Sequence, residues 1–181
     1  MSSADLFEKT LRSRRIYDGK VINLRVDTVK LPNGRVTIRE VVEHPGAVAV
    51  VPFLKPDVIL MIRQYRHPTG EVLLEIPAGT LKKGENPEDC ARRELIEETG
   101  YKPSEMRKML GCYLAPGYSS ELIHLYKAKK LVQVKKKPEL DEKIQVMQVD
   151  LEKALKMIET SEIKDAKTIC GILLALGNFA Q

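Results

Sequence analysis

The sequence predicts a fold of the α/β (α+β) class, and three observations carry that prediction. Two apolar runs, Ala47 to Leu54 and Val58 to Ile62, are too continuous to leave a wet face and read as central strands. A well-punctuated helix lies further on, opening at Asn86 and closing at Gly100. Strands and helices then mix along the chain without the regular alternation of a doubly wound sheet.

Before the central strands, Ile22, Leu24 and Val26 alternate with Asn23, Arg25 and Asp27, and Val29 and Leu31 lead into Pro32-Asn33-Gly34. Val36, Ile38, Val41 and Val42 follow, so the segment reads as a hairpin in which Asn-Gly supplies the positive φ angles of a tight turn. This region ahead of His44 is a candidate separate small sheet. Lys55-Pro56-Asp57 divides the two central runs, and Val72 to Ile76 reads as another strand, stopped by Pro77-Ala78-Gly79. Asn86 caps the helix, Pro87 takes its first position, Glu88 and Asp89 are acidic in its first turn, and Gly100 suits the residue past its end. Gly111 to Leu114, Leu122 to Ala128 and Ile144 to Val149 read as strands. Two helices close the chain: Asp150 caps Leu151 to Thr160, with Leu151, Ala154, Leu155 and Ile158 on one stripe, and a strongly apolar helix runs from about Asp165 to Leu176.

With 181 residues, 43% of them apolar and 30% charged, the chain has the profile of one compact globular domain rather than a disordered or low-complexity segment. No apolar stretch approaches the roughly 20 residues needed to span a bilayer, and Met1-Ser2-Ser3-Ala4-Asp5 opens a polar segment without the apolar core of a signal peptide. A cytoplasmic protein without a membrane partner is expected. Cys90, Cys112 and Cys170 are odd in number and lack zinc-ligand spacing, so they read as reduced packing residues. The net charge of +5 favours anionic partners only in a general way. The densest basic run, Lys135-Lys136-Lys137 with Lys127, Lys129 and Lys130 upstream, has no interleaved aromatics and reads as a solvated strand end and loop rather than a nucleic-acid site.

Chemistry concentrates on the helix from Pro87 to Thr99. Glu94, Glu97 and Glu98 stand at i, i+3 and i+4, so three like charges share one face of two turns while Ala91 and Leu95 form the buried stripe. A hard divalent cation among them relieves that repulsion, and oxygen-only ligation suits Mg²⁺ or Mn²⁺. The bland reading is a solvated acidic face neutralised by Arg92 and Arg93. Upstream, Gly79 and Gly84 allow a tight loop whose backbone can approach phosphate or metal closely, and Arg93 can hold its acidic neighbours with a forked contact.

Gly79, Glu85, Arg93-Glu94-Leu95, Glu97-Glu98, Gly100 and Tyr101 match without a departure the signature of the Nudix hydrolases, G-x5-E-x7-R-E-U-x-E-E-x-G-U. Seven fixed positions at usages of about 6% each match by chance in fewer than about one in a million chains of this size. The resemblance implies hydrolysis of a nucleoside diphosphate linked to another moiety. It also implies Glu94 and Glu98 as the main metal ligands, Glu97 as an additional one, and the Ala78 carbonyl as completing the set.

Outside this box the chain resembles the ADP-ribose pyrophosphatase branch in three places. They are Ala115-Pro116-Gly117-Tyr118-Ser119-Ser120-Glu121, fifteen residues beyond Tyr101 at Pro116; Arg39-Glu40 ahead of His44-Pro45-Gly46 with Arg63-Gln64-Tyr65-Arg66; and the ending Asp165-Ala166-Lys167-Thr168. That likeness implies an N-terminal β region, residues 1–45, exchanged across a homodimer, and an α/β/α Nudix domain with a mixed sheet over residues 46–181. It implies that Arg39, Glu40 and Arg66 contact the adenine or diphosphate, and that Tyr17 stacks on the base from the partner subunit; the plain alternative for Tyr17 is a half-buried strand aromatic. In this branch a glutamate from a late loop activates the water, and Glu142 in Glu139-Leu140-Asp141-Glu142-Lys143-Ile144 is the best match, with Glu121 and Glu97 as competitors. The implied reaction is Mg²⁺-dependent hydrolysis of ADP-ribose to AMP and ribose 5-phosphate. Its alternatives are hydrolysis of another nucleoside diphosphate sugar, such as a GDP-hexose, and a non-catalytic sensor that binds ADP-ribose.

Overall fold

The computed structural model describes residues 6–135 and 143–177. They divide into two compact units, the chain up to Gly46 with Tyr113–Leu122, and Ala47–Cys112 with the chain from Ile123 onward. In the first unit β1 (Lys9–Asp18), β2 (Asn23–Lys30) and β3 (Val36–Glu43) form an antiparallel sheet in that order. The hairpin β2–β3 is where the alternation predicts it, but its turn is wider than expected. Of the Asn-Gly pair only Gly34 takes a positive φ, 86°. Asn33 instead accepts the Arg35 N–H on its side chain at 3.1 Å, and the loop closes through the Leu31 N–H and the Arg35 carbonyl at 2.8 Å. Strand β1 was not anticipated, since every residue in it is exposed and no buried stripe marks it. Within the same unit the Pro116 loop is tied to β3: the Val42 N–H donates to the Tyr118 carbonyl at 2.8 Å and the Ser120 N–H to the Val42 carbonyl at 3.0 Å.

The second unit is built on β4 (Ala47–Lys55), β5 (Val58–Arg66), β6 (Glu71–Glu75), β7 (Ala78–Thr80), β8 (Tyr101–Tyr113), β9 (Leu122–Gln133) and β10 (Ile144–Asp150), with helices α1 (Pro87–Thr99), α2 (Leu151–Glu159) and α3 (Ala166–Leu176). The sheet runs β10-β5-β4-β9-β8, with β6 paired to β5 and β7 to β4. It is mixed: β4 and β9 are parallel, and β5 is antiparallel to both β4 and β10. Side-chain alternation along β4 divides the core. Ala47, Ala49, Val51 and Phe53 pack with Leu151 and Ala154 of α2 and Ile172 and Ala175 of α3, whereas Val48 and Val50 pack with Cys90, Ala91 and Leu95 of α1. Both faces of the sheet are covered, which is the α/β/α sandwich expected and the reason β4 has no polar alternation. Each Val or Ile fully buried here contributes roughly 1.5–3 kcal/mol relative to exposure.

Two element boundaries and one cap differ from expectation. Pro77 interrupts the sheet without ending it, because Ala78–Thr80 resumes as β7 against Ala47–Ala49. Strand β8 starts directly after α1 at Tyr101 and not at Gly111; its many exposed polar residues hide it from an apolar-pattern reading. Asp150 stands at the N-cap of α2 but makes no side-chain cap bond, whereas Asp165 caps α3 by accepting the Thr168 N–H at 3.0 Å. The upstream lysines are also not uniformly solvated: Lys127 donates to the Ala175 carbonyl at 2.9 Å, and its Nζ lies 4.6 Å from the centre of the Phe53 ring.

Candidate active site

Every part of the acidic cluster is positioned by the loop between β7 and α1. Gly84, at φ 76°, turns the chain; the Glu85 carboxylate then accepts the Lys82 N–H at 2.9 Å and the Glu85 N–H donates to the Lys82 carbonyl at 2.9 Å. Asn86 caps α1 by accepting the Glu88 N–H at 2.9 Å, and Gly100 closes it at φ 77°. Cys90, Ala91 and Leu95 are fully buried against the sheet, which fixes the rotation of α1 and aims its glutamates at β7.

Arg93 is the hub of the cluster. Its Nε and Nη2 meet both oxygens of Glu85 at 2.8 and 3.0 Å, and its Nη1 donates to Glu94 at 2.6 Å and to Glu97 at 2.9 Å. This contact holds the Glu85 carboxyl down at about 2, with help from the Lys82 N–H, and raises the guanidinium further above its ordinary range. Cys90, beneath Arg93, is pushed up to about 12 by burial and is no nucleophile.

The β7 backbone meets the other side of the glutamates. The Ala78 N–H donates to Glu98 Oε2 at 3.0 Å, and Glu98 is only 3% exposed. A Cβ added to Gly79 would lie 2.0 Å from Glu94 Cδ. Gly79 therefore makes room for the Glu94 side chain, where the sequence suggested close approach of phosphate or metal. Two neighbouring residues of one short strand thus set the places of Glu94 and Glu98. Among the described residues no three His, Cys, Asp or Glu side chains converge at ligand spacing. The donor set still fits a hard divalent cation: two carboxylates are seated side by side on the backbone, a third shares Arg93 with the first, and all the donors are oxygen.

A second charged cluster, not anticipated from sequence, surrounds Glu75, which is 1% exposed at the end of β6. Arg66 meets its two oxygens through Nε and Nη2 at 2.7 and 2.9 Å. Lys167 also donates to it, while keeping a 2.9 Å contact with Asp165. Burial alone would raise the Glu75 carboxyl, but these two cations hold it below the usual range. The Arg66 guanidinium is raised chiefly by Glu75, with smaller contributions from the charges of Glu98 and Asp165. No local signal points here, since the partners of Glu75 come from β5 and α3, with Lys167 some ninety residues away.

The structure therefore brings together Ala78, Gly79, Arg93, Glu94, Glu97 and Glu98, and places Arg66 within the field of Glu98. The remaining predicted residues, Glu142 apart, belong to the first unit. Arg39 pairs with Glu8 at 2.6 Å, and Glu40 is exposed. Tyr17, at 57% exposure, is not the half-buried aromatic of the plain alternative, and its ring lies over Gly19. Pro116 lies in the loop tied to β3. Glu121 has an oxygen 4.0 Å from His44 Nδ1, but that nitrogen accepts the Gly46 N–H at 3.1 Å, so the imidazole presents a lone pair there and forms no ion pair with it. Glu142 lies outside the described residues.

Comparison with known proteins matches residues 43–170 to the NUDIX domain and residues 8–42 to the nucleoside diphosphate sugar hydrolase N-terminal domain. The chain is 47% identical over 169 residues to an ADP-ribose pyrophosphatase of Bacillus subtilis (strain 168), covering 92% of this chain and 91% of that protein. It is 42% identical over 167 residues to a methanol dehydrogenase activator of Bacillus methanolicus, covering 91% and 90%. A crystal structure of an ADP compounds hydrolase superposes with a TM-score of 0.84 at 21% identity, covering 96% of this chain and 94% of that one, a likeness of fold.

Proposed function

Because the chain belongs to the Nudix hydrolase family, we propose that it hydrolyses the diphosphate linkage of ADP-ribose to AMP and ribose 5-phosphate. The observation that carries the reading is the seating of Glu94 and Glu98 on Gly79 and Ala78, within a chain alike to an ADP-ribose pyrophosphatase over 92% of its length.

In this reading Glu94 and Glu98 hold the cation, with Glu97 and the Ala78 carbonyl as further ligands. Mg²⁺ is the proposed ion, with Mn²⁺ as a substitute. When bound, it neutralises diphosphate charge and lowers the pKa of a coordinated water. Arg93 fixes the approach of Glu94 and Glu97, and Arg66 takes the diphosphate through Nη1, which has no partner among the described residues. Arg39 and Glu40 face the adenine, with Tyr17 of the partner subunit stacking on it. Glu142 takes the proton of the attacking water, with Glu121 as its competitor; the Glu97 carboxylate is already engaged by Arg93. A P–O bond to water forms as the bridging P–O bond breaks.

The N-terminal β region, residues 1–45, is proposed to exchange across a homodimer built on residues 46–181. Exposed Leu11, Ile16, Val36 and Ile38 on that small sheet supply apolar surface for it. No described helix is long and apolar enough to cross a membrane, and the cytoplasm is the proposed compartment. The basic strand end, without interleaved aromatics, is assigned no nucleic-acid role.

The deciding experiment follows AMP and ribose 5-phosphate release with Mg²⁺ and with EDTA, across a panel of nucleoside diphosphate sugars. Metal-dependent turnover that favours ADP-ribose supports the reading. Preference for a GDP-hexose overturns the substrate, and metal-dependent binding without turnover of any member points to a sensor.

A further inference from the structure

We propose that Glu75 is a positioning residue that holds Arg66 in place before substrate arrives, presenting the free end of its guanidinium to the substrate diphosphate. The inference rests on the nucleotide-sugar reading above and adds a residue to it.

The register of β5 and β6 makes the pairing informative. Arg66 stands opposite Glu71, and Glu75 stands opposite Ile62. A carboxylate directly across the ladder was thus available to Arg66, yet Glu71 pairs instead with Lys164 at the surface, at 2.6 Å. Arg66 leans back along the sheet and the buried Glu75 leans to meet it, the two side chains together closing a stagger of four residues or ~13 Å of strand. This direction leads toward Ala78 and Glu98, because Ile76, Pro77 and Ala78 follow directly.

Glu75 is itself held in place. Lys167 holds its side chain from α3, and Lys167 is held in turn by Asp165, whose other oxygen caps that helix. The next residue is fixed as well, since the Ile76 N–H donates to Thr168 Oγ1 at 3.0 Å and Thr168 is fully buried. A carboxylate held by Lys167, on a strand pinned at the next residue, and using both oxygens on Nε and Nη2 fixes the plane of the guanidinium. Among the described residues Nη1 has no partner, which leaves its two N–H donors for an anion; the Arg66 side chain is 35% exposed and that of Glu75 is 1%. The Glu98 charge acts on the same guanidinium, and Glu98 is one of the carboxylates assigned to the cation. An anion bridging the two would meet a donor already oriented, without the ordering cost of a free arginine.

The test is a double-mutant cycle read by calorimetric binding of ADP-ribose in EDTA, with no metal and no turnover. Wild type is compared with Arg66→Ala, Glu75→Gln and the double variant, and thermal midpoints are taken for each. The two single variants are expected to weaken binding by roughly 10- to 100-fold, as for a lost charge-assisted hydrogen bond. The double variant is expected to be no weaker than Arg66→Ala, since Glu75 acts only through Arg66. Unchanged affinity in Glu75→Gln, or effects that multiply in the double variant, would overturn the proposal. Glu75→Asp, which keeps the charge and draws it back by one methylene, is expected to fold and still to lose affinity.

A measurement on the wild-type protein covers the case in which Glu75 variants fail to fold. The ¹⁵Nε order parameter of ligand-free Arg66 is expected near ~0.85, and a value below ~0.6 overturns the proposal. Should wild type hydrolyse another nucleoside diphosphate sugar and not ADP-ribose, the substrate reading fails. The same cycle then runs with that sugar, because the diphosphate is common to both.

Discussion

The Arg93 and Glu75 clusters are built from the same side-chain types in opposite proportions. Arg93 gathers three carboxylates, Glu85, Glu94 and Glu97, on one guanidinium. Glu75 gathers two cations on one carboxylate, and Asp165 balances the second of them. The first cluster keeps a surplus of negative charge and is partly open; the second is balanced around a sealed carboxylate. A surplus calls for a cation from outside, whereas a balanced buried network satisfies itself and serves to fix geometry.

Glu98 sits on the Ala78 N–H between the two clusters in sequence and its charge acts on Arg66, so its replacement carries the largest expected effect. Glu98→Gln keeps an oxygen for the Ala78 N–H and removes the charge. The expectation is a fall in kcat of roughly 10²–10³-fold with little change in Tm. A kcat within threefold of wild type would remove Glu98 from the site.

The two clusters should also differ in stability. Lys167→Met leaves buried Glu75 with one cation and is expected to cost about 2–3 kcal/mol in urea unfolding. Lys164→Met, which breaks the exposed pair with Glu71 (side chains 53% and 49% exposed), is expected to cost under about 1 kcal/mol. Equal costs would erase the distinction between a sealed and an open network.

Gly79→Ala probes the open cluster from its backbone side. The new Cβ must displace a flexible Glu94 side chain and no rigid backbone. Metal affinity, followed by Mn²⁺ titration, is therefore expected to fall about tenfold while the unfolding free energy changes by under about 1 kcal/mol. A large stability loss with intact metal binding would contradict the seating of Glu94.

Acid sensitivity sharpens the comparison further. Glu85 is depressed from 4.5 to about 2 in the folded protein. Its contribution is complete above about pH 4.5 and is lost as pH falls from there toward 2. Urea midpoints measured from pH 6 down to pH 3 should fall, and fall less in Glu85→Gln. The smallest effect expected is at Cys90: iodoacetamide at pH 8 should label the exposed Cys170 and leave Cys90 unmodified, because burial holds that thiol near 12.

The parts of this architecture that the sequence made legible are those written locally. Asn86, Pro87 and Gly100 mark both ends of α1 because capping is a contact within a few residues. The apolar runs of β4 and β5 disclose a sheet covered on both faces. The Arg93 cluster was legible for the same reason, since its members lie within thirteen residues of one another. Strand β1 was not, because its apolar side chains face no core in this chain and set up no alternation. Glu75 was not, because its partners come from β5 and α3, and nothing in Val72-Leu73-Leu74-Glu75-Ile76 distinguishes a buried carboxylate from a strand-end one.

Four consecutive residues, Glu75 to Ala78, connect the two networks, with Arg66 anchored at one end and Glu98 at the other. Their number acts as a gauge block between a cationic and an anionic surface. A deletion or insertion within them would shift both anchors at once and turn later side chains of the strand to the opposite face. The Leu81–Asn86 loop carries its own internal bonds and hands the chain on to a helix with its own caps. Glu85 of that loop still has to reach Arg93, so spacing is constrained on both sides of β7, and within these four residues it is a tighter constraint than the identity of Ile76 or Pro77.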